Sequence, residues 1–210
     1  MKMNCLTRKF YYGAVAASFA LLLALSACTD SDSGSGTNMD EDSKTAGKCV
    51  DVPDGAFCDS RNGQVYKTAE IGGQVWTVEN MNYYMVGSYC FDDADSNCSK
   101  YGRLYDHSTS FHICKDGWHV PSKDEAEKLL KFLSRNRDYL KVFKALSAGI
   151  RKKDGTYSLK GEKAYFWIST YLVDHGYCYM EFSSDNETGS LACEGMDQGD
   201  ALSLRCVKDD

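Results

Sequence analysis

From Lys48 to Asp210 the alternation of hydrophobic and polar positions predicts short strands, with two helices in the first half. Gln64 to Ile71 and Gln74 to Val78 are rich in β-branched and aromatic residues, and Gly72-Gly73 stands between them. A two-residue turn of that kind needs positive φ at both positions, so the stretch predicts a hairpin. Pro121-Ser122-Lys123-Asp124-Glu125 is a helix start: Ser122 caps, and Glu125 three residues on completes a capping box. Ala126, Leu129, Leu130 and Leu133 follow at helical spacing and predict one core-facing stripe. Val142 to Arg151, Ala164 to Tyr171, Tyr177 to Phe182 and Ala201 to Val207 are further strand candidates, separated by Gly, Asp and Asn. No internal repeat is found.

The chain has 210 residues, room for one ordinary domain once a leader and a linker are set aside. With 43% hydrophobic, 12% aromatic and 26% charged residues it can build a core, which excludes a wholly disordered, collagenous or coiled-coil chain. The formal charge of -6 offers no basic surface to neutralise phosphates, so nucleic acid is not an expected partner.

The N-terminus changes the picture most. Lys2, Arg8 and Lys9 precede a charge-free stretch from Phe10 to Leu25, a pattern for a signal peptide. Leu25-Ser26-Ala27-Cys28 resembles a bacterial lipobox, which implies cleavage after residue 27 and acylation of Cys28. The competing reading is a single anchor cleaved by an ordinary peptidase, or not cleaved. Removing residues 1–27 takes away three positive charges and no acid, leaving a formal charge of -9. Residues 28–47 hold the lipidated cysteine and then Ser, Gly and acids with almost no large apolar side chain, so Thr29 to Gly47 is expected to be a flexible tether spanning roughly 25 Å. Thr29 rather than Asp follows Cys28, as in lipoproteins sorted onward to the outer membrane. The expected location is the cell envelope, as an outer-membrane lipoprotein with surface display as a further step.

Without Cys5 and Cys28, eight cysteines remain: Cys49, Cys58, Cys90, Cys98, Cys114, Cys178, Cys193 and Cys206. Their even number, the lack of C-x2-C or C-x4-C spacing and an oxidising destination favour four disulfides over zinc. Eight cysteines admit 105 pairings, and parity does not choose among them. Asp93, Asp95 and Asn97 alternate like calcium ligands, but Cys98 stands where such a loop needs Gly and no Glu closes it. A solvated acidic loop tied by Cys90 and Cys98 is the simpler reading, with calcium left open. No metal or other cofactor is implied.

Several motifs occur in order: Asn62 to Thr68, Gly73-Gln74-Val75-Trp76, Glu79 to Tyr83, Tyr101-Gly102-Arg103-Leu104-Tyr105, Gly117 to Ser122, Ala164 to Trp167 and Leu204 to Lys208. Together they resemble the Fibrobacter succinogenes major paralogous domain, over about Gly63 to Lys208 within an expected domain 48–210. The resemblance implies an exported bacterial protein and a C-type lectin-like α+β fold of short antiparallel strands with two helices, stapled by disulfides and shared with formylglycine-generating enzymes. In that fold a long bridge to the C-terminal region encloses a second, which implies Cys114 with Cys206 and Cys178 with Cys193. Cys49 with Cys58 and Cys90 with Cys98 then close local loops.

His107, His112 and His119 lie close together, but His119 belongs to the family's Gly-Trp-His-Val-Pro turn, where a hydrogen-bonded structural role is expected. The lectin sugar-calcium motifs are absent. Paired cysteines leave no thiol for formylglycine chemistry, and no Gly-x-Ser-x-Gly elbow occurs, so no catalytic residue is assigned. Trp76, Trp118 and Trp167 sit inside family motifs and are expected to be buried. Tyr83 and Tyr84 are better placed for ligand, because adjacent residues of an extended chain point to opposite faces. The function these readings favour is a noncatalytic, lipid-anchored binding or adhesion module whose ligand is an extracellular polysaccharide or a protein. The alternative is a structural envelope lipoprotein without a soluble ligand, and an enzyme is third.

Overall fold

The computed structural model describes residues 49–184 and 189–210. The expected signal peptide 1–27, Cys28 and the expected tether through Gly47 lie outside the described residues.

In chain order the strands are β1 (Phe57–Asp59), β2 (Gln64–Tyr66), β3 (Thr68–Glu70), β4 (Val75–Thr77), β5 (Ser88–Tyr89), β6 (Leu104–Asp106), β7 (Trp118–His119), β8 (Ile150–Arg151), β9 (Tyr157–Ser158), β10 (Lys163–Leu172), β11 (Gly176–Ser183), β12 (Gly189–Ala192), β13 (Ala201–Leu202) and β14 (Val207–Lys208). The helices are α1 (Asp95–Tyr101), α2 (His107–Ser110), α3 (Lys123–Arg135) and α4 (Asp138–Phe143). The strands form four sheets, in the orders β1-β2, β3-β4-β14-β7, β5-β6-β13-β8-β9 and β10-β11-β12. Every ladder is antiparallel, and two isolated parallel bridges, Gly149 to Ala164 and Phe166 to Ser203, join the sheets. This is a disulfide-stapled α+β fold.

The β3-β4 hairpin closes as expected. Ile71 and Gln74 exchange backbone hydrogen bonds of 2.8 and 3.3 Å around Gly72 and Gly73, whose φ values are +66° and +74°. The predicted strand from Gln64 to Ile71 is nevertheless two strands. At Lys67 the backbone N–H donates to Glu79 Oε2 at 2.9 Å, so β2 pairs back to β1 while β3 pairs forward to β4. Ala201 to Val207 also divides. The carbonyls of Ser203, Leu204 and Cys206 accept from Trp167, Met81 and Thr77, carrying the chain from one sheet to another.

The expected two helices are corrected to four. Helix α3 begins with the full capping box: Ser122 Oγ accepts from the Glu125 N–H at 3.3 Å, and Glu125 Oε2 accepts from the Ser122 N–H at 2.7 Å. Its Ala126, Leu129 and Leu133 are buried against β10 and β12, whereas Leu130 is only half-buried at the rim. Helix α1 falls where an acidic loop was expected, held by the Cys90–Cys98 bridge. Val142 and Phe143 belong to α4 instead of a strand, and Lys144 at φ +47° stops that helix well before β8.

Two large cores result. One gathers Trp76, Phe143, Phe166 and Phe182 beneath α3, and the other gathers Tyr66, Tyr105, Trp167 and Leu202 behind β6 and β13. Four disulfides join Cys49 to Cys58, Cys90 to Cys98, Cys114 to Cys206 and Cys178 to Cys193.

Candidate functional site

Asn80 to Gly87 belongs to no strand or helix, yet nearly every residue in it is tied down. Met81 N–H donates to the Leu204 carbonyl, and the Met81 carbonyl accepts from Arg103 N–H at 3.0 Å. Asn82 N–H donates to Tyr66 Oη at 3.0 Å, and the buried Tyr105 hydroxyl donates to the Tyr83 carbonyl at 3.0 Å. Met85 is closed on Ser88 from both sides, and Thr109 Oγ1 donates to the Val86 carbonyl at 3.0 Å. Gly87 has φ +85°, and a Cβ there would run into the Asp106 carboxylate and the Thr109 hydroxyl, so the loop lies directly on α2. Bonds made by the backbone leave side chains free to point outward. Tyr84 is 67% exposed and Val86 is 86% exposed.

Two guanidinium groups flank these rings. Arg61 lies 3.7 Å from the Tyr83 ring centre and Arg103 lies 4.9 Å from that of Tyr84, both within cation–π range. Arg61 is fully engaged. Its Nε and Nη2 donate to the two oxygens of Asp59 at 2.8 and 2.6 Å, while Nη1 and Nη2 also donate to the carbonyls of His112 and Ile113. Tyr83 is half-buried beneath it.

The aromatic surface continues past α2. Asp106 caps this single turn by accepting from Thr109 N–H at 2.7 Å, which fixes His107 inward and Phe111 outward. The His107 ring meets Phe111, Trp167 and Tyr177 at centroid distances of 4.9, 5.1 and 4.2 Å. Burial pushes its pKa below 6.5 against the pull of Asp106, so His107 is neutral at pH 7. Tyr171 faces Tyr177 across the β10-β11 pair at 5.0 Å and is itself exposed. Ring contacts therefore link Phe111, His107, Tyr177 and Tyr171, backed by buried Trp167, and the loop that carries Tyr84 adjoins them through the Thr109–Val86 bond and the Gly87 contact on α2.

The other sequence candidates lie elsewhere. His119 is held between two carboxylates, with Nδ1 2.5 Å from Asp209 and Nε2 2.8 Å from Glu125. Its nitrogens point to opposite sides, an arrangement that ties β7 to α3 and to the segment after β14, as a structural histidine does. Asp93 accepts from the Tyr157 hydroxyl at 2.7 Å, Asn97 Oδ1 faces Lys160 Nζ at 3.5 Å, and Asp95 reaches toward the Cys90 sulfur, so the three oxygens turn to different neighbours. Among the described residues no group of three His, Cys, Asp or Glu converges on one point. Trp76 and Trp167 are buried as expected, whereas Trp118 is only half-buried against Phe57, 5.0 Å between ring centres, because β7 is an edge strand.

Of the two tyrosines singled out in sequence, Tyr84 is exposed and Tyr83 half-buried; Arg103 and Phe111 were not singled out, and Tyr171 and Tyr177 stood only among the many tyrosines of the chain. Tyr171 and Tyr177 were within reach, since they bracket the turn between two predicted strands. Arg103 was not, because its neighbour is nineteen positions away along an irregular loop. Set against protein-family models, curated proteins and solved structures, the chain finds no match in any of the three.

Proposed function

We propose that this chain is a noncatalytic, lipid-anchored module of the cell envelope that binds an extracellular polysaccharide through the face formed by Tyr84, Phe111, Tyr177 and Tyr171. The observation that carries this reading is the loop from Asn80 to Gly87, which is rigid in its backbone and exposed in its side chains. Rings held in place before binding lose little conformational freedom on contact, and tyrosine offers an apolar face with a polar rim. Sugar rings present the matching surface, axial C–H groups bordered by hydroxyls. Val86 and Val173 stand exposed beside these rings, and polysaccharide is the class chosen because the rings themselves match a sugar face.

A C-type lectin-like scaffold of the Fibrobacter succinogenes major paralogous kind supports the reading from the side of the fold. The bridge Cys114–Cys206 encloses Cys178–Cys193 as that resemblance implies, and β4 pairs with the C-terminal strand β14. The noncatalytic part is the reading of the sequence, in which no catalytic residue is assigned. Every described cysteine is in a disulfide, His107 is buried, and His119 is clamped away from the aromatic residues. The lipid-anchoring part of the proposal rests on Lys2 to Cys28 and the outer-membrane part on Thr29 after Cys28.

Binding of the full chain to a panel of insoluble and soluble polysaccharides tests the proposal. Tyr84→Ala and Tyr171→Ala should each weaken binding about tenfold with unchanged denaturation midpoints, the loss expected when one stacking ring is removed. Variants that bind as well as the wild type would remove this face from the function. Capture of a protein with no polysaccharide retained would move the ligand to the other class.

A further inference from the structure

Arg103 differs from Arg61 in having almost nothing to hold. Its one side-chain hydrogen bond is a long contact from Nη1 to Ser88 Oγ at 3.4 Å, and that hydroxyl is already engaged with Met85 on both sides. Among the described residues it has no carboxylate within ion-pair distance. Its backbone is fixed by the bond to Met81 and by β6, which begins at the next residue, so the half-buried guanidinium is presented from a rigid base. It lies against Tyr84, and the 67% exposure of that ring leaves the rest of its surface open.

The surroundings are unusual for a protein with thirty acidic residues and a formal charge of -6. Asn80 to Gly87 and His107 to Cys114, the loop and helix beside Arg103, contain no Asp or Glu, and the acid among Tyr171 to Tyr177 is Asp174 in the turn. The nearest acids of the adjoining elements are occupied: Asp59 takes Arg61, and Asp106 takes the Thr109 N–H and the Ser108 hydroxyl. More distant carboxylates are screened over about 8 Å at physiological salt. The loop and helix next to Arg103 thus offer it no free carboxylate, and Arg103 is a partly desolvated cation without an ion-pair partner among the described residues.

Resting on the polysaccharide reading of this face, we propose that its ligand is a carboxylated polysaccharide, a uronic-acid polymer, whose sugar ring stacks on Tyr84 while its carboxylate accepts from the Arg103 guanidinium. The planar fork of Arg103 matches a carboxylate with two parallel N–H donors, and a neutral sugar would leave that fork unanswered.

Calorimetric titration of the full chain with polygalacturonate and with its methyl ester tests the inference, because the two share a backbone and differ in charge. The acid form should bind at least about tenfold more tightly, the range for a charge-assisted hydrogen bond. Arg103→Gln should erase that preference while leaving the methyl ester's affinity and the denaturation midpoint unchanged, and Arg103→Lys should restore only part of it. Raising salt from about 0.05 to about 0.5 M should weaken the acid form alone. Equal affinity for the two forms, or a preference that survives Arg103→Gln, overturns the inference; if Tyr84→Ala still weakens both, the polysaccharide reading stands without it. Binding of neither form also overturns it, and neutral glucans then decide the broader reading.

Discussion

Arg205 is a cation at the centre of the fold, fully buried, with backbone and amide oxygens as its partners. Nε donates to Asn80 Oδ1 at 3.0 Å, Nη2 to the Lys144 carbonyl at 2.8 Å, and Nη1 to the Phe143 carbonyl, with the rings of Phe143 and Phe166 within 4.4 and 5.1 Å of the guanidinium. Burial lowers its pKa to about 9, so it remains charged at pH 7. The two carbonyls end α4, where the helix dipole is negative, and this substitutes for a counterion. Arg205→Met should therefore cost about 3 kcal/mol or more in denaturant unfolding, because three acceptors lose their donors together, and Arg205→Lys should not recover it. His119 sets a second expectation. Burial opposes its charge, but the bonds to Asp209 and Glu125 outweigh burial and raise its pKa above 6.5. A raised histidine stabilises in full below its unfolded pKa, and that contribution is lost as pH rises through the folded value. His107, depressed by burial, is already neutral in both states above about pH 7. Denaturation midpoints should thus fall as pH rises above about 6.5 in the wild type, and this fall should be lost in His119→Gln; a parallel fall in both would assign it elsewhere. A hydrogen-bonded structural role for His119 was legible from its turn, although its Asp209 partner ninety residues on was not; the role of Arg205 was not visible, because Asn80, Phe143 and Lys144 come from segments far away in the chain.

Helix α3 shows how far local signals reach. Its cap, its first turn and its buried stripe are all written within Pro121 to Leu133, so both its start and its face were legible. Ser122→Ala should cost about 1 kcal/mol by returning one backbone N–H to water. Leu129→Ala should cost roughly 2 to 5 kcal/mol, since Leu129 is fully buried, and Leu130→Ala should cost less because its side chain is partly solvated already. Equal midpoints for the two leucine variants would contradict the observed packing of this helix. The β3-β4 hairpin was legible for the same reason, through Gly72-Gly73. Helices α1, α2 and α4 were not. Each has seven residues or fewer and is fixed from outside itself: α1 by Cys90–Cys98, α2 by packing beneath the Val86 carbonyl, and α4 by Arg205 at its end. Short helices of this kind have no stable existence in isolation, so a single-sequence pattern carries little trace of them. The candidate site shares that limit, since the loop around Tyr84 is held by the Asn82 N–H donating to Tyr66 and by Tyr105 and Thr109 donating to the Tyr83 and Val86 carbonyls.

At the scale of the whole molecule, fourteen strands of mostly two to four residues give little hydrogen-bonded ladder to any one sheet, and the cross-links supply part of what long strands would. Cysteine count predicted four bridges, while their pairing came only through the resemblance to a lectin-like domain, because which cysteines meet is a property of the fold. The bridges should not be equal. Cys114–Cys206 spans 92 residues and ties the segment before β7 to the segment before β14, with Cys178–Cys193, spanning 15 residues, enclosed within it. Cys90–Cys98 and Cys49–Cys58 span only 8 and 9 residues. Loop entropy in the unfolded chain assigns about 4 to 5 kcal/mol to the long bridge, about 3 to the enclosed one and about 2.5 to each local one. A domain of this size is typically stable by only about 5 to 15 kcal/mol, so loss of the long bridge alone approaches the whole margin. Replacing Cys114 and Cys206 together by Ala should lower the stability far more than replacing Cys49 and Cys58. It should also steepen the denaturant dependence, because an unfolded chain freed of its largest loop exposes more surface. Alanine is the suitable replacement, since Cys206 is fully buried and Cys114 nearly so, and a serine hydroxyl there would add a separate burial cost. If the two double variants unfolded at the same denaturant concentration with the same slope, the long bridge would add no more stability than the terminal one, and the sheets would have to be held together by packing alone.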